Sequence, residues 1–172
     1  MYWTSLVIFT TFLFVAAIDG FYYHLHKFRL WAHPDTWAEH VFHTARAVLT
    51  PPILWALYVA KGPSLALAAM LVGLDVVATV LDVRAEPDSR RRFGGLPRGE
   101  FLVHVVATLL HVAALATAFT AGWLGDEVPT TPAFGVLAYA LVLGSSVAAV
   151  QHVALAVRGA PGACCMSRRT AA

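Results

Sequence analysis

The chain has 172 residues, of which 59% are hydrophobic and 13% charged, with a formal net charge of +2 and a mean hydropathy of +0.68. Soluble domains carry about a quarter charged residues, and here the apolar residues come in long runs instead of amphipathic stripes, which excludes a water-soluble core as the organising feature. The small net charge, with no basic residues interleaved with aromatics along a polar face, excludes a nucleic-acid-binding protein.

Five apolar segments follow one another: Tyr2 to Tyr23, Val41 to Ala60, Ser64 to Asp82, Phe101 to Trp123 and Pro132 to Val157. Each approaches or exceeds the ~20 helical residues that cross a bilayer core. No Lys or Arg precedes the first, so it reads as a retained helix and not as a signal peptide. Pro51-Pro52 predicts a kink in the second, with backbone carbonyls freed for other partners. Lys61-Gly62-Pro63, Phe93-Gly94-Gly95-Leu96-Pro97 and Gly125 with Pro129 and Pro132 supply the turn chemistry between segments. The expected fold is an all-α polytopic membrane protein of five transmembrane helices. Residues 1–158 form one domain, made of a hairpin (2–60), a second hairpin (64–123) and a fifth helix (132–157), and 159–172 form a cytoplasmic tail. In that tail Cys164-Cys165 stand beside Arg168 and Arg169, reduced thiols placed either for palmitoylation or for no modification at all.

Five spans put every Lys and Arg except Lys61 on one side, while Asp126-Glu127 join Lys61 on the other. By the positive-inside rule the N-terminus lies outside and the tail in the cytoplasm, the membrane being of the bacterial inner (plasma) type. Arg90-Arg91-Arg92 reads either as a topological anchor or as a site for an anionic lipid headgroup.

The ionisable residues recur in matched order. Asp19 ends the first segment and Asp82 the third; the second then opens with Glu39-His40-Val41-Phe42-His43 and the fourth with Glu100-Phe101-Leu102-Val103-His104. Both openings read Glu-x-x-x-His, and the Asp-to-Glu separations differ by two residues. Residues four apart share a helix face about 6 Å of rise apart, so two hairpins related by a pseudo-twofold axis along the membrane normal bring together Asp19, Glu39, His43, Asp82, Glu100 and His104. Four carboxylates and two imidazoles form the donor set of a dinuclear iron or manganese centre. The ligand logic resembles that of the soluble ferritin-like di-iron proteins, which use a carboxylate on one helix and Glu-x-x-His on the next, twice; here the first carboxylate is Asp and the spacing is four. Against this, Thr36-Trp37-Ala38-Glu39 also reads as a capping box, and Glu100 as an anion favoured in a first helical turn.

His111 lies seven residues beyond His104, and Asp75 seven before Asp82, so polar character continues inward along two helices. Ser145, Ser146, Gln151 and His152 interrupt the fifth. His24, His40, Asp75, His111 and His152 are further candidate ligands or orienting groups, while His26 and His33 read as solvated. The function expected is a membrane-embedded oxidoreductase of the hydroxylase, desaturase or oxidase type. Two metal ions, iron first and manganese or zinc next, act from the cytoplasmic side on a lipid-soluble substrate, with membrane lipids and an electron-donor protein as partners. The alternatives are a divalent-metal transporter or binding protein, a b-type haem protein with a pair such as His111 and His152 as axial ligands, and a structural subunit whose polar groups glue its helices.

Overall fold

The computed structural model describes residues 1–60 and 64–160. Lys61 and the tail residues Cys164, Cys165, Arg168 and Arg169 lie outside them. Among the described residues the chain is entirely helical: α1 (Tyr2–Ala17), a π-helical segment (Ile18–Lys27), α2 (Trp37–Tyr58), α3 (Ser64–Arg90), α4 (Arg98–Trp123) and α5 (Pro132–Gly159). Four stretches are long and apolar enough to cross a membrane: Tyr2–Ala32, Leu65–Phe93, Arg98–Trp123 and Pro132–Gly159. The remaining helix, α2, carries Glu39, His40, His43 and Arg46 along with Pro51 and Pro52, which lower its hydropathy. It is the most enclosed helix, packed on both α3 and α5.

The ends of the five long helices alternate. The Met1 ammonium lies 3.1 Å from Asp126 in the α4–α5 loop, which joins the N-terminus and that loop at one end. At the other end Trp37 donates its Nε1–H to the Ala156 carbonyl, and Arg92 pairs with Asp35. There a Cβ on Gly159 would stand 1.8 Å from the Trp31 carbonyl oxygen, a close approach that only glycine permits.

Broad packing joins α1 to α4, α2 to α3 and α2 to α5. Exchanging the hairpins turns the first of these faces into the second, so the two helices of each hairpin pack mainly on the other hairpin. Leu6, Phe9, Leu54, Leu57, Phe134 and Ala118 are buried in the apolar core near the Met1 end. Ser5 fastens it, sharing a hydrogen bond with the Tyr58 hydroxyl and donating to the Ala114 carbonyl. Outward faces carry Val76, Val77, Leu109, Leu143 and Val147, all exposed, as a surface solvated by lipid tails requires.

Two helix ends depart from expectation. α3 does not stop at Asp82 but runs through Pro87 to Arg90, the next glycines after Asp82 being Gly94 and Gly95. Both glycines adopt positive φ, and their N–H groups close on the Arg91 and Arg90 carbonyls, ending the helix there. Likewise the first helix passes through Asp19, widening into a π-helix over ten residues.

Candidate metal centre

The π-helix determines which side chains of the first crossing face inward. Its bonds run from residue i to i+5, so side chains five apart stack where α-helical winding would splay them. Asp19 and His24 thereby share the buried face, while Tyr22 and His26 turn outward. A wholly α-helical winding does not anticipate this, which is why His24 ranks in the sequence only as a secondary candidate. In the structure it is central: its Nε2 lies 3.6 Å from Asp19, 3.7 Å from Glu39 and 3.7 Å from Glu100.

One donor atom from each of Asp19, His24, Glu100 and His104 lies within 4.8 Å of the others, a grouping that a metal ion could occupy. His104 stands between two acids, its Nε2 3.0 Å from Asp19 and its Nδ1 3.0 Å from Glu86. Beside this group a chamber of about 60 Å³ is lined by Asp19, His24, Glu39, Asp82, Glu86 and His104. A single water needs only ~10–15 Å³ on the same measure. Asp82 keeps its buried Oδ1 without a hydrogen bond in the protein.

The facing ends of α2 and α3 offer a partial counterpart. His43 Nδ1 lies 3.6 Å from Asp82, as His104 lies beside Asp19, and its Nε2 points toward Gly20. Arg46 takes the place of a further ligand, with Nη1 3.4 Å from Asp82 and Nε 3.7 Å from Asp75. Deeper in the bundle His111 stacks on Phe12 and has Nδ1 3.7 Å from Asp75. His40 and His152 form a separate ring pair, 5.6 Å apart, with His43 at 5.3 Å from His152. His40 is fully buried, and neither of its nitrogens has a hydrogen-bond partner in the protein.

Arg90 joins the halves. Its side chain is 1% exposed, hydrogen-bonded to Glu100 through Nε and Nη2 and to Glu39 through Nη1 at 2.8 Å, with the guanidinium over the Phe28 ring. Ser89 donates to Glu39 and accepts from Arg90. Reading Arg90 with Arg91 and Arg92 as one headgroup site therefore needs correction. The two-turn extension of α3 swings Arg90 inward, and only Arg91 and Arg92 remain at the surface, paired with Asp88 and Asp35. The same extension brings in Glu86, unremarked in the sequence although Asp82, Glu86 and Arg90 follow a four-residue spacing. Glu39 does not cap its helix: the Thr36 hydroxyl donates to the Leu30 and His33 carbonyls instead.

Of the six residues expected together, Asp19, Glu100 and His104 share the four-residue group, Glu39 reaches it through His24 and Arg90, and His43 and Asp82 form the adjoining pair. No family model, curated protein or solved structure matches the chain.

Proposed function

We propose that this chain is an integral membrane metalloenzyme of the oxidoreductase class. The observation that carries the reading is the buried group of Asp19, His24, Glu100 and His104, whose donor atoms lie within 4.8 Å of one another. Buried carboxylates without cations are costly in a bilayer and converge where they bind one. Two carboxylates with two imidazoles, and the further acids Glu39, Asp82 and Glu86 beside them, suit a hard, redox-active metal, iron before manganese and both before zinc. A second ion would fall in the adjoining chamber beside Asp82, Glu86 and Glu39, and the recurring Asp and Glu-x-x-x-His order of the hairpins supports such a paired site.

In this reading Asp19, His24, Glu100 and His104 are ligands, Glu86 orients His104 from its far nitrogen, and Arg90 holds Glu39 and Glu100 apart while offsetting their charge. The substrate is lipid-soluble and reaches the centre through the bilayer. Basic residues at the α3–α4 end support a centre on the cytoplasmic side of a plasma membrane, accessible to an electron-donor protein, with the N-terminus outside. A b-type haem finds less support, because His111 is covered on one face by Phe12 and the other buried imidazoles lie in ring contact with one another, leaving no space for a porphyrin between them.

A divalent-metal transporter has one observation in its favour: Asp82, Arg46, Asp75 and His111 continue the polar line into the bundle. Anaerobic loading with ferrous iron followed by exposure to air separates the two. The enzyme reading expects oxygen uptake and oxidation of the bound iron, lost in His104→Ala. Iron that stays ferrous in air yet crosses a liposome membrane would favour transport.

A further inference from the structure

A second cavity opens beside the candidate centre and shares Asp19, Arg46 and Ala107 with its chamber. It measures about 380 Å³, within the ~300–1,000 Å³ of small-molecule sites. Its outer part is apolar, with Leu13 and Phe14 on α1 facing Gly144 and Ala148 on α5. α1 packs along α4, α5 packs along α2, and α1 and α5 meet only sparsely. The mouth therefore lies between these two helices, where Phe14 is 71% exposed on the lipid-facing surface.

The inner end is polar, lined by Asp19, His43, Arg46, Asp75, His111 and His152. Arg46 is its one fixed cation and already faces two carboxylates, Asp75 and Asp82, while Asp19 adds a further acid to the lining. A carboxylate entering here meets acids that outnumber that cation, and a buried unpaired charge is costly. Acceptors are in excess, however. Pro51 lacks the N–H that would bond the Ala47 carbonyl, and Ala47 lines the cavity. The hydroxyls of Thr10, Thr50 and Ser145 spend their protons on helix carbonyls and present oxygen lone pairs. His152, itself 3% exposed, has an Nδ1 with no hydrogen-bond partner.

From these features we infer that the cavity binds a single-chain lipid with a hydrogen-bond-donating terminus that carries no negative charge, a long-chain alcohol in class. It enters sideways from the bilayer between α1 and α5 and sets its terminus beside Asp19. The inference rests on the metalloenzyme reading only in calling this molecule the substrate; binding itself requires the cavity alone.

Photolabelling tests it. The full chain in lipid nanodiscs is exposed to hexadecanol carrying a mid-chain diazirine, and labelled peptides are mapped by mass spectrometry, with metal content measured on the same sample. Label should concentrate on Leu13–Ala17 and Ala140–Ala148. Unlabelled hexadecanol should compete about tenfold better than palmitic acid, which would have to bury its carboxylate among acids. Gly144→Phe should abolish the concentrated label at unchanged helical content, since nothing lies within 4 Å of a Cβ at that position and the ring has space to fill the mouth. Palmitic acid competing as well as hexadecanol, or label spread evenly onto α4 around Leu109 and indifferent to Gly144→Phe, would overturn the inference. Concentrated label on protein that carries no metal would uphold it while removing the metalloenzyme reading.

Discussion

Arg90 is the residue on which both hairpins depend, and its role is electrostatic. One guanidinium, 1% exposed, serves Glu39 and Glu100 together, so Arg90→Ala leaves two buried carboxylates without a partner. Breaking such a network costs about 3–5 kcal/mol, and thermal unfolding in mild detergent should show a correspondingly large loss. Adding Glu39→Gln and Glu100→Gln to Arg90→Ala should recover part of it, because the stranded charges are then gone. Arg90→Lys should not restore stability, since an ammonium cannot bridge both acids with a planar fork. At the metal group the effects should be graded. Asp19→Ala and His104→Ala remove donors outright, whereas Glu86→Gln acts through His104 and should weaken metal affinity about 10–100-fold without abolishing it, as read by competition with a chelator.

Among the elements, the π-helix has the sharpest consequence. Inserting one alanine after Phe21, between Asp19 and His24, sets the two six residues apart, about a third of a turn out of line, and turns His24 off the inward face. Helical content by circular dichroism should hold while metal binding falls as in His104→Ala; metal retained by the insertion variant would dissociate His24 from the site. The fold was legible in the sequence where the signal was long and apolar, as in the five segments that form the long helices. Elements that depend on local winding were not. Asp19 and His24, five apart, have no common face on an α-helix, and the inward turn of Glu86 and Arg90 follows from α3 running past Asp82 to the Gly94-Gly95 stop. A span ended at the last apolar residue loses those two turns, and with them the basic residue that joins the halves.

At the scale of the whole molecule the ionisable groups and the apolar core occupy different levels of one bundle, and the basic loops lie at the ionisable end. With Cys164 and Cys165 replaced by Ser, single cysteines at Arg91 and at Glu127 should react with impermeant reagents from opposite sides of sealed vesicles, Arg91 from the cytoplasmic side. Labelling of both from one side would contradict the alternating ends seen at Met1–Asp126 and Trp37–Ala156. Acid should release metal, because imidazole and carboxylate ligands bind only when deprotonated. The most direct test of the central claim is elemental analysis of protein purified in mild detergent, before and after reconstitution with ferrous, manganous or zinc ions. The account predicts at least one tightly held ion per chain, lost from Asp19→Ala and His104→Ala variants that still fold. Wild-type protein that is folded, binds none of the three ions after reconstitution, and matches both variants in metal content would contradict it.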